Sequence, residues 1–240
     1  MHKLKSFDFL AGETIPVNKP YRWTSFDVVN KVRYAVKKHM GIPKLRIGHA
    51  GTLDPLATGL LILCSGKHTK QIESMQELEK EYSGIFQLGA TTPSFDLETE
   101  IDQTYPFDHI SLEDIQKAVC NLTGEIDQVP PVFSAIKIGG RRAFDFARNK
   151  EELELKSRKV TVRAFTISSY EPPDVGFSIV CSKGTYIRSI ARDLGIMLNS
   201  GAYLKSLHRD RIGHFESISA FEVDDLLNSI MEIGKMPGEL

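Results

Sequence analysis

The chain has 240 residues, 41% of them hydrophobic and 25% charged, with a formal net charge of −1, the make-up of an ordinary soluble globular chain of one large domain or two modest ones. No apolar run reaches the length of a membrane span, and the residues from Met1 to Asp8 carry no signal-peptide core, which argues against a membrane protein and a secreted one. Cys64, Cys120 and Cys181 are odd in number and far apart; they suit a reducing cytoplasm, argue against a disulfide scaffold or a zinc ribbon, and each is expected to pack as a small hydrophobe.

In chain order, residues 15–20 read as a short strand that ends at a turn. Thr24 or Ser25 then caps a helix whose apolar positions, Val28, Val29, Val32, Ala35 and Val36, recur at helical spacing, and Gly41-Ile42-Pro43 stops it. Residues 48–61 crowd three glycines and a proline around one carboxylate, Asp54. That composition suits a tightly folded loop that fixes Asp54. The apolar run from Leu60 to Cys64 predicts a buried strand behind it, which is how a rigid site is anchored. Asp before Pro is also a common turn pair, so a purely structural Asp54 is the competing reading. The same glycines do not make a phosphate-binding loop: Gly66-Lys67 is followed by His68, and Leu61 stands where the first glycine would have to be.

Residues 73–81 are charged and predict a helix, and residues 82–89 alternate as a strand. Residues 90–106 read as an acidic loop in which Asp96 is assigned no chemistry. Ser111 and Asp114 form a capping box for a helix with an apolar stripe of Ile115, Val119 and Leu122, ended by Gly124. Gly139-Gly140 predicts a turn, and Arg141 to Arg148 a basic, aromatic helix. Strands are expected over residues 158–171 and 176–181 with a turn at Pro172-Pro173-Asp174, then a helix through Ile190, Ala191, Leu194 and Leu198. A last short amphipathic helix covers residues 219–230. Charge is segregated along this path. Residues 16–46 hold eight Lys/Arg against Asp27, residues 73–127 hold 13 acids against two lysines, and residues 134–165 hold nine Lys/Arg against four acids. Such blocks make either one basic, nucleic-acid-facing side or ordinary solvated helix surfaces.

Five of these segments, in order, resemble the motifs of the TruB family of tRNA pseudouridine-55 synthases. They are Lys19-Pro20, the loop from Gly48 to Leu61 with its Gly51-Thr52-Leu53-Asp54-Pro55 run, Lys80-Glu81-Tyr82, Gly184-Thr185-Tyr186-Ile187-Arg188, and the stretch from Leu204 to Phe215. Pro130 to Lys137 is similar to a further motif, with Phe133 where the family usually has Tyr. The resemblance spans roughly residues 15–215. It implies an α+β fold, a mixed, mainly antiparallel sheet with flanking helices, formed as one catalytic domain over residues 1–240. A thumb-like insertion at about 134–158 would close over RNA, and the chain would hold no C-terminal PUA-type module. It implies that a uridine in the T-arm of tRNA, at position 55, becomes pseudouridine: the N-glycosidic bond breaks and the uracil rejoins through carbon 5.

In that reading Asp54 is the catalytic nucleophile, and whether it attacks the sugar or the ring stays open. His49 wedges into the RNA as the base leaves the stack. Tyr82 lies against the base, Tyr186 and Arg188 belong to the substrate-binding element, and Arg188 pairs with Asp54 and keeps it ionised. Leu207 with Ile187 walls the base pocket, and Lys19 is structural support. Arg141, Arg142, Arg148 and Lys150 contact phosphates, whereas Glu151, Glu152 and Glu154 face solvent. An isomerisation calls for no cofactor and no metal. The implied partner is tRNA, without membrane or guide RNA, met by a cytoplasmic monomer. Two alternatives remain: a tRNA-remodelling protein that does not depend on Asp54, and a guide-RNA-dependent pseudouridylase.

Overall fold

The computed structural model describes residues 7–134, 136–149, 151, 153 and 155–235, with the main chain alone for Lys137, Ile138, Arg142, Ala147 and Arg148. Lys150, Glu152 and Glu154 lie outside the described residues.

The elements follow in chain order. They are β1 (Thr14–Lys19), α1 (Ser25–Met40), β2 (Ile47–His49), β3 (Thr58–Ser65), α2 (Ile72–Glu77), β4 (Lys80–Leu88), β5 (Ala90–Thr91) and β6 (Gln103–Thr104). Next come α3 (Leu112–Asn121), β7 (Gly124–Gln128), β8 (Lys137–Ile138), β9 (Arg141–Arg142), α4 (Ala143–Arg148), β10 (Arg158–Glu171) and β11 (Asp174–Cys181). The chain continues through α5 (Ile187–Met197), β12 (Ala202–Ile212), β13 (Phe215–Glu216), β14 (Phe221–Glu222) and α6 (Val223–Ile233). The chain forms two compact units, residues 1–80 with 208–240, and residues 81–207.

In the first unit the strand order is β14-β1-β3-β12, with β2 on β3 and β13 on β12. β1 runs antiparallel to β3 and parallel to β14, and the end of β12 runs parallel to β3. β3 is buried along seven of its eight residues, which explains its unbroken apolar sequence. Its side chains alternate between two cores. Leu61 and Leu63 pack with α1 and α6 through Val28, Val32, Val36, Leu226 and Ile230. Leu60, Ile62 and Cys64 pack with Ile72, Met75 and Ile212. Thr24 caps α1 reciprocally: its hydroxyl accepts from the Asp27 N–H at 3.0 Å, and Asp27 Oδ2 accepts from the Thr24 N–H at 2.8 Å. Gly41 ends the helix at φ +68°, a left-handed turn that glycine adopts without a Cβ clash.

In the second unit the order is β12-β4-β11-β10-β7, with β10 antiparallel to both β11 and β7. Phe86 stacks on Phe177 at 3.9 Å between ring centres, and Phe165 meets both edge-on. α3 packs on β10 and α5. The described ladders are mainly antiparallel with parallel exceptions, the mixed sheet with flanking helices that the family resemblance implies.

Several expectations are corrected. α2 ends at Glu77, because residues from Lys80 onward join β4. α3 ends at Asn121, and Gly124 opens β7 instead of ending the helix. Residues 90–106 are not all loop, since β5 pairs with β6. Arg141 and Arg142 stand on β9 of a hairpin turned at Gly139-Gly140, so the helix starts only at Ala143. Both glycines have positive φ, as a tight two-residue hairpin turn requires. Cys120 is exposed, unlike Cys64 and Cys181; it falls off the apolar stripe of α3.

Candidate active site

The first unit builds the carboxylate loop. Asp54 is half-buried, on the stretch between β2 and β3. The Asp54 carbonyl accepts from the Ala57 N–H at 3.1 Å, a turn with Pro55 at its second position, where proline presets φ. Three groups pin the stretch from outside. Ser25, at the first turn of α1, accepts from the Leu53 N–H at 2.9 Å and donates to the Leu53 carbonyl at 3.1 Å. The Lys19 ammonium donates to the carbonyls of Trp23 at 2.7 Å, Pro20 at 3.0 Å and Pro55 at 3.2 Å. The Arg209 guanidinium donates to Leu60 at 2.7 Å, Gly51 at 3.2 Å and Thr52 at 3.3 Å. Lys19 and Arg209 are each only 1% exposed.

Gly51 and Gly59, which flank the loop, both have φ near +97°. A Cβ on Gly59 would strike the main chain of Arg209. Glycine is therefore required there by conformation and by the closeness of β12, which pairs Arg209 with Gly59. Burial lowers the Lys19 pKa from its ordinary value to about 8; the nearby Asp54 charge opposes this, and Arg209 adds to it. Burial also lowers the His49 pKa, opposed by a hydrogen bond to the Gly51 main chain and reinforced by Arg209. The His49 imidazole is thus neutral at neutral pH. The loop presents a fixed, half-exposed carboxylate backed by two buried cations and a neutral imidazole. This arrangement suits covalent attack by a held nucleophile.

The second unit holds the other predicted residues. Arg188, on the first turn of α5, is 3% exposed, so it is no helix-surface arginine. It donates to the carbonyls of Phe133 at 2.9 Å and Ser94 at 3.2 Å, and its Nε lies 3.6 Å from Asp96 Oδ2. Asp96 Oδ1 accepts in turn from the Ser94 hydroxyl at 2.6 Å and the Glu98 N–H at 3.0 Å. Tyr186 precedes α5: its N–H donates to Gln128 Oε1 at 2.8 Å, and its ring lies under Arg158 at 4.8 Å. Tyr82 on β4 and Leu207 on β12 are both 9% exposed. Gly84 on β4 abuts the Ser206 carbonyl, where a Cβ would not fit. Arg141 makes a two-pronged pair with Glu151 at 2.8 and 3.0 Å and lies 4.1 Å over the Phe146 ring. Glu151, expected to face solvent, with pairing to these arginines as the competing reading, is thus the partner of Arg141. Arg142 lies on β9 and Arg148 at the end of α4.

Three residues were not singled out by sequence reasoning. Arg209 sits two places after Leu207 on one strand, hence on the same face as a predicted pocket wall; that parity was the available signal. Asp96 answers the need of a buried arginine for a carboxylate. Ser25 was considered only as a helix cap. Among the described residues no group of three or more His, Cys, Asp or Glu is gathered that could hold a metal ion.

Comparison with known proteins places this geometry. The model of the TruB family pseudouridylate synthase N-terminal domain matches residues 37–187. A tRNA pseudouridine synthase B from Phocaeicola vulgatus is 52% identical over 206 residues, covering 86% of this chain and 88% of the relative. One of the same name from Flavobacterium johnsoniae is 50% identical over 217 residues, covering 90% and 95%. Among solved structures, a chain of a Cbf5–Nop10–Gar1 complex superposes with a TM-score of 0.69 at 25% identity, over 94% of this chain and 60% of that one. A chain of an H/ACA ribonucleoprotein bound to a substrate RNA containing 2′-deoxyuridine does so with a TM-score of 0.64 at 25% identity, over 92% and 53%. This chain spans a little over half the length of those two. The half-exposed aspartate, its cation-pinned loop and relatives matched along most of their length lead to one conclusion: the chain belongs to the TruB family of pseudouridylate synthases.

Proposed function

We infer that this chain isomerises uridine to pseudouridine in tRNA. The observation that carries the reading is Asp54, held half-exposed on a loop pinned by Ser25, Lys19 and Arg209, in a chain about half identical to enzymes named tRNA pseudouridine synthase B. The finer reading is that the target is position 55 in the T-arm. The target nucleotide leaves the stack with His49 entering behind it. Asp54 attacks it covalently, at the sugar or at the ring. The bond from N1 to the sugar breaks, the uracil turns within a pocket walled by Tyr82, Ile187 and Leu207, C5 bonds to the sugar, and the bond to Asp54 breaks again, which returns the free carboxylate. C5 gives up its proton and N1 gains one, so atoms and charge balance and no redox partner enters. Arg188 and Tyr186 serve as substrate-binding residues. Arg141, Arg142 and Arg148 hold phosphates. The enzyme works as a cytoplasmic monomer without guide RNA, metal or cofactor; the free thiols of Cys64, Cys120 and Cys181 suit that compartment.

The test is mapping of pseudouridine in tRNA after incubation with the purified chain alone. Wild-type protein is expected to form one pseudouridine in the T-arm without added RNA. Asp54→Asn is expected to form none while still binding tRNA, since affinity comes mostly from phosphate contacts. Turnover by Asp54→Asn above background overturns the nucleophile assignment and favours an Asp54-independent role. Dependence of the wild type on an added guide RNA overturns stand-alone action.

A further inference from the structure

The face of α1 turned away from the core is not an ordinary solvated surface. Its buried stripe is Val28, Val29, Val32, Ala35 and Val36. On other sides of the same segment Tyr21, Phe26 and Tyr34 are 50%, 59% and 63% exposed. A groove of about 480 Å³ is lined by Arg22, Trp23, Asp27, Asn30, Lys31 and Tyr34. That volume lies in the range of roughly 300–1,000 Å³ typical of ligand sites. Trp23, just before α1, is half-buried with part of its ring packed on the core, and Tyr34 lies on α1, with Asn30 and Lys31 between them in sequence.

The groove is lined by two cations, Arg22 and Lys31, against one acid, Asp27, and further cations follow along α1. Arg22, Lys31, Lys37 and Lys38 are exposed, with Arg22 5.5 Å from the Tyr21 ring centre and Lys38 6.0 Å from that of Tyr34. Asp27 is the only acid from Pro16 to Arg46, and its Oδ2 is taken up by the Thr24 N–H and hydroxyl. One end of the groove is tied to the catalytic loop. Arg22 has φ +66°, a conformation that disfavours any residue with a Cβ and that tends to be stored where function needs it. Its N–H donates to the Pro55 carbonyl at 2.8 Å, one residue from Asp54.

We propose that this groove is a second RNA subsite, which takes unpaired nucleotides of the tRNA substrate other than the one delivered to Asp54. The rings of Trp23 and Tyr34 stack on bases, Arg22 and Lys31 meet phosphates, and Asn30 reaches a base edge. Aromatic platforms interleaved with cations are the general solution for binding unpaired nucleic acid. Trp23 and Tyr34 also give the groove apolar surface, and the cations Arg22 and Lys31 beside it favour a polyanion over a peptide. The proposal rests on tRNA being the substrate.

The chain has one tryptophan, so its fluorescence reports on the groove directly. Titration with tRNA is expected to quench Trp23 along the same curve that filter binding gives. Tyr34→Ala combined with Lys31→Ala, both on the exposed face, is expected to weaken tRNA binding at least fivefold to tenfold, from one lost stacking contact and one lost phosphate. The control Lys117→Ala, at an exposed site on α3, is expected to bind as the wild type does. Unchanged Trp23 emission at saturating tRNA, or a double variant that binds as tightly as wild type while circular dichroism shows it folded, overturns the subsite. Both readouts need no turnover. A chain that forms pseudouridine with a silent Trp23 would sink this proposal alone, and one that binds through Trp23 yet forms no pseudouridine would sink the proposed activity alone.

Discussion

Three main-chain carbonyls, those of Gly51, Thr52 and Leu60, converge on the one guanidinium of Arg209, so the loop that carries Asp54 is held by a fork no other side chain can reproduce. Arg209→Lys keeps the charge, but a single ammonium cannot reach all three acceptors in those directions. A shift of the nucleophile by about 1 Å is enough to lower a rate roughly 10²-fold. Arg209→Lys is therefore expected to lower kcat by roughly that factor with tRNA affinity held. Equal loss of affinity, or full activity, would show that the fork does not position Asp54. Lys19 gives a second test at this scale. Its folded pKa, about 8, lies below the ordinary lysine value of 10.5. Between these values the unfolded chain binds the proton that the folded chain has lost, so unfolding free energy rises with pH across that window. The difference in urea midpoint between wild type and Lys19→Met is expected to grow in favour of wild type from pH 8 to 10.5. A flat difference would show that Lys19 keeps its proton.

At the scale of elements, the hairpin of β8 and β9 with α4 carries the sharpest divergence from expectation. A basic, aromatic run from Arg141 read as helix, yet two consecutive glycines force a hairpin first, and Arg141 folds back onto Glu151 and Phe146. Local composition supplied the charges and pairing with Glu151 as the competing reading, but not the hairpin that brings Arg141 back to it ten positions on. An exposed ion pair of this sort contributes little, so it need not compete with phosphate. Changing Arg141, Arg142 and Arg148 together to Ala is expected to weaken tRNA binding. It should flatten the plot of log affinity against log salt by roughly 0.7 to 0.9 per lost phosphate contact. An unchanged slope in a folded triple variant would leave these arginines as surface charges. By contrast the starts of α1 and α3 were legible, because Thr24 and the Ser111–Asp114 box are local capping signals that the fold did not overrule.

For the molecule as a whole, the motif order was legible in the sequence, whereas the long-range pairings inside the first unit were not. The first unit is discontinuous: residues 208–240 return to complete what residues 1–80 begin. No local pattern announces that return, since Arg209, Leu226 and Ile230 find their partners roughly 150 to 200 positions earlier. Its physical consequence is that the end of the chain completes the core cluster built on α1. Leu226 is fully buried against α1, and Leu226→Ala is expected to destabilise that core by about 2–5 kcal/mol. If the two cores open as distinct cooperative units, amide exchange should quicken in β1, β3, α1 and the end of β12 at Arg209. The amides of β10 and β11, around Phe165 and Phe177, should keep their wild-type rates. The loop carrying Asp54 would then be loosened by a substitution in α6 that touches none of its residues, and turnover should fall at temperatures where the second unit is still fully protected. Uniform acceleration across both sets of strands would instead mean that the chain unfolds as one, with the second core inheriting the loss.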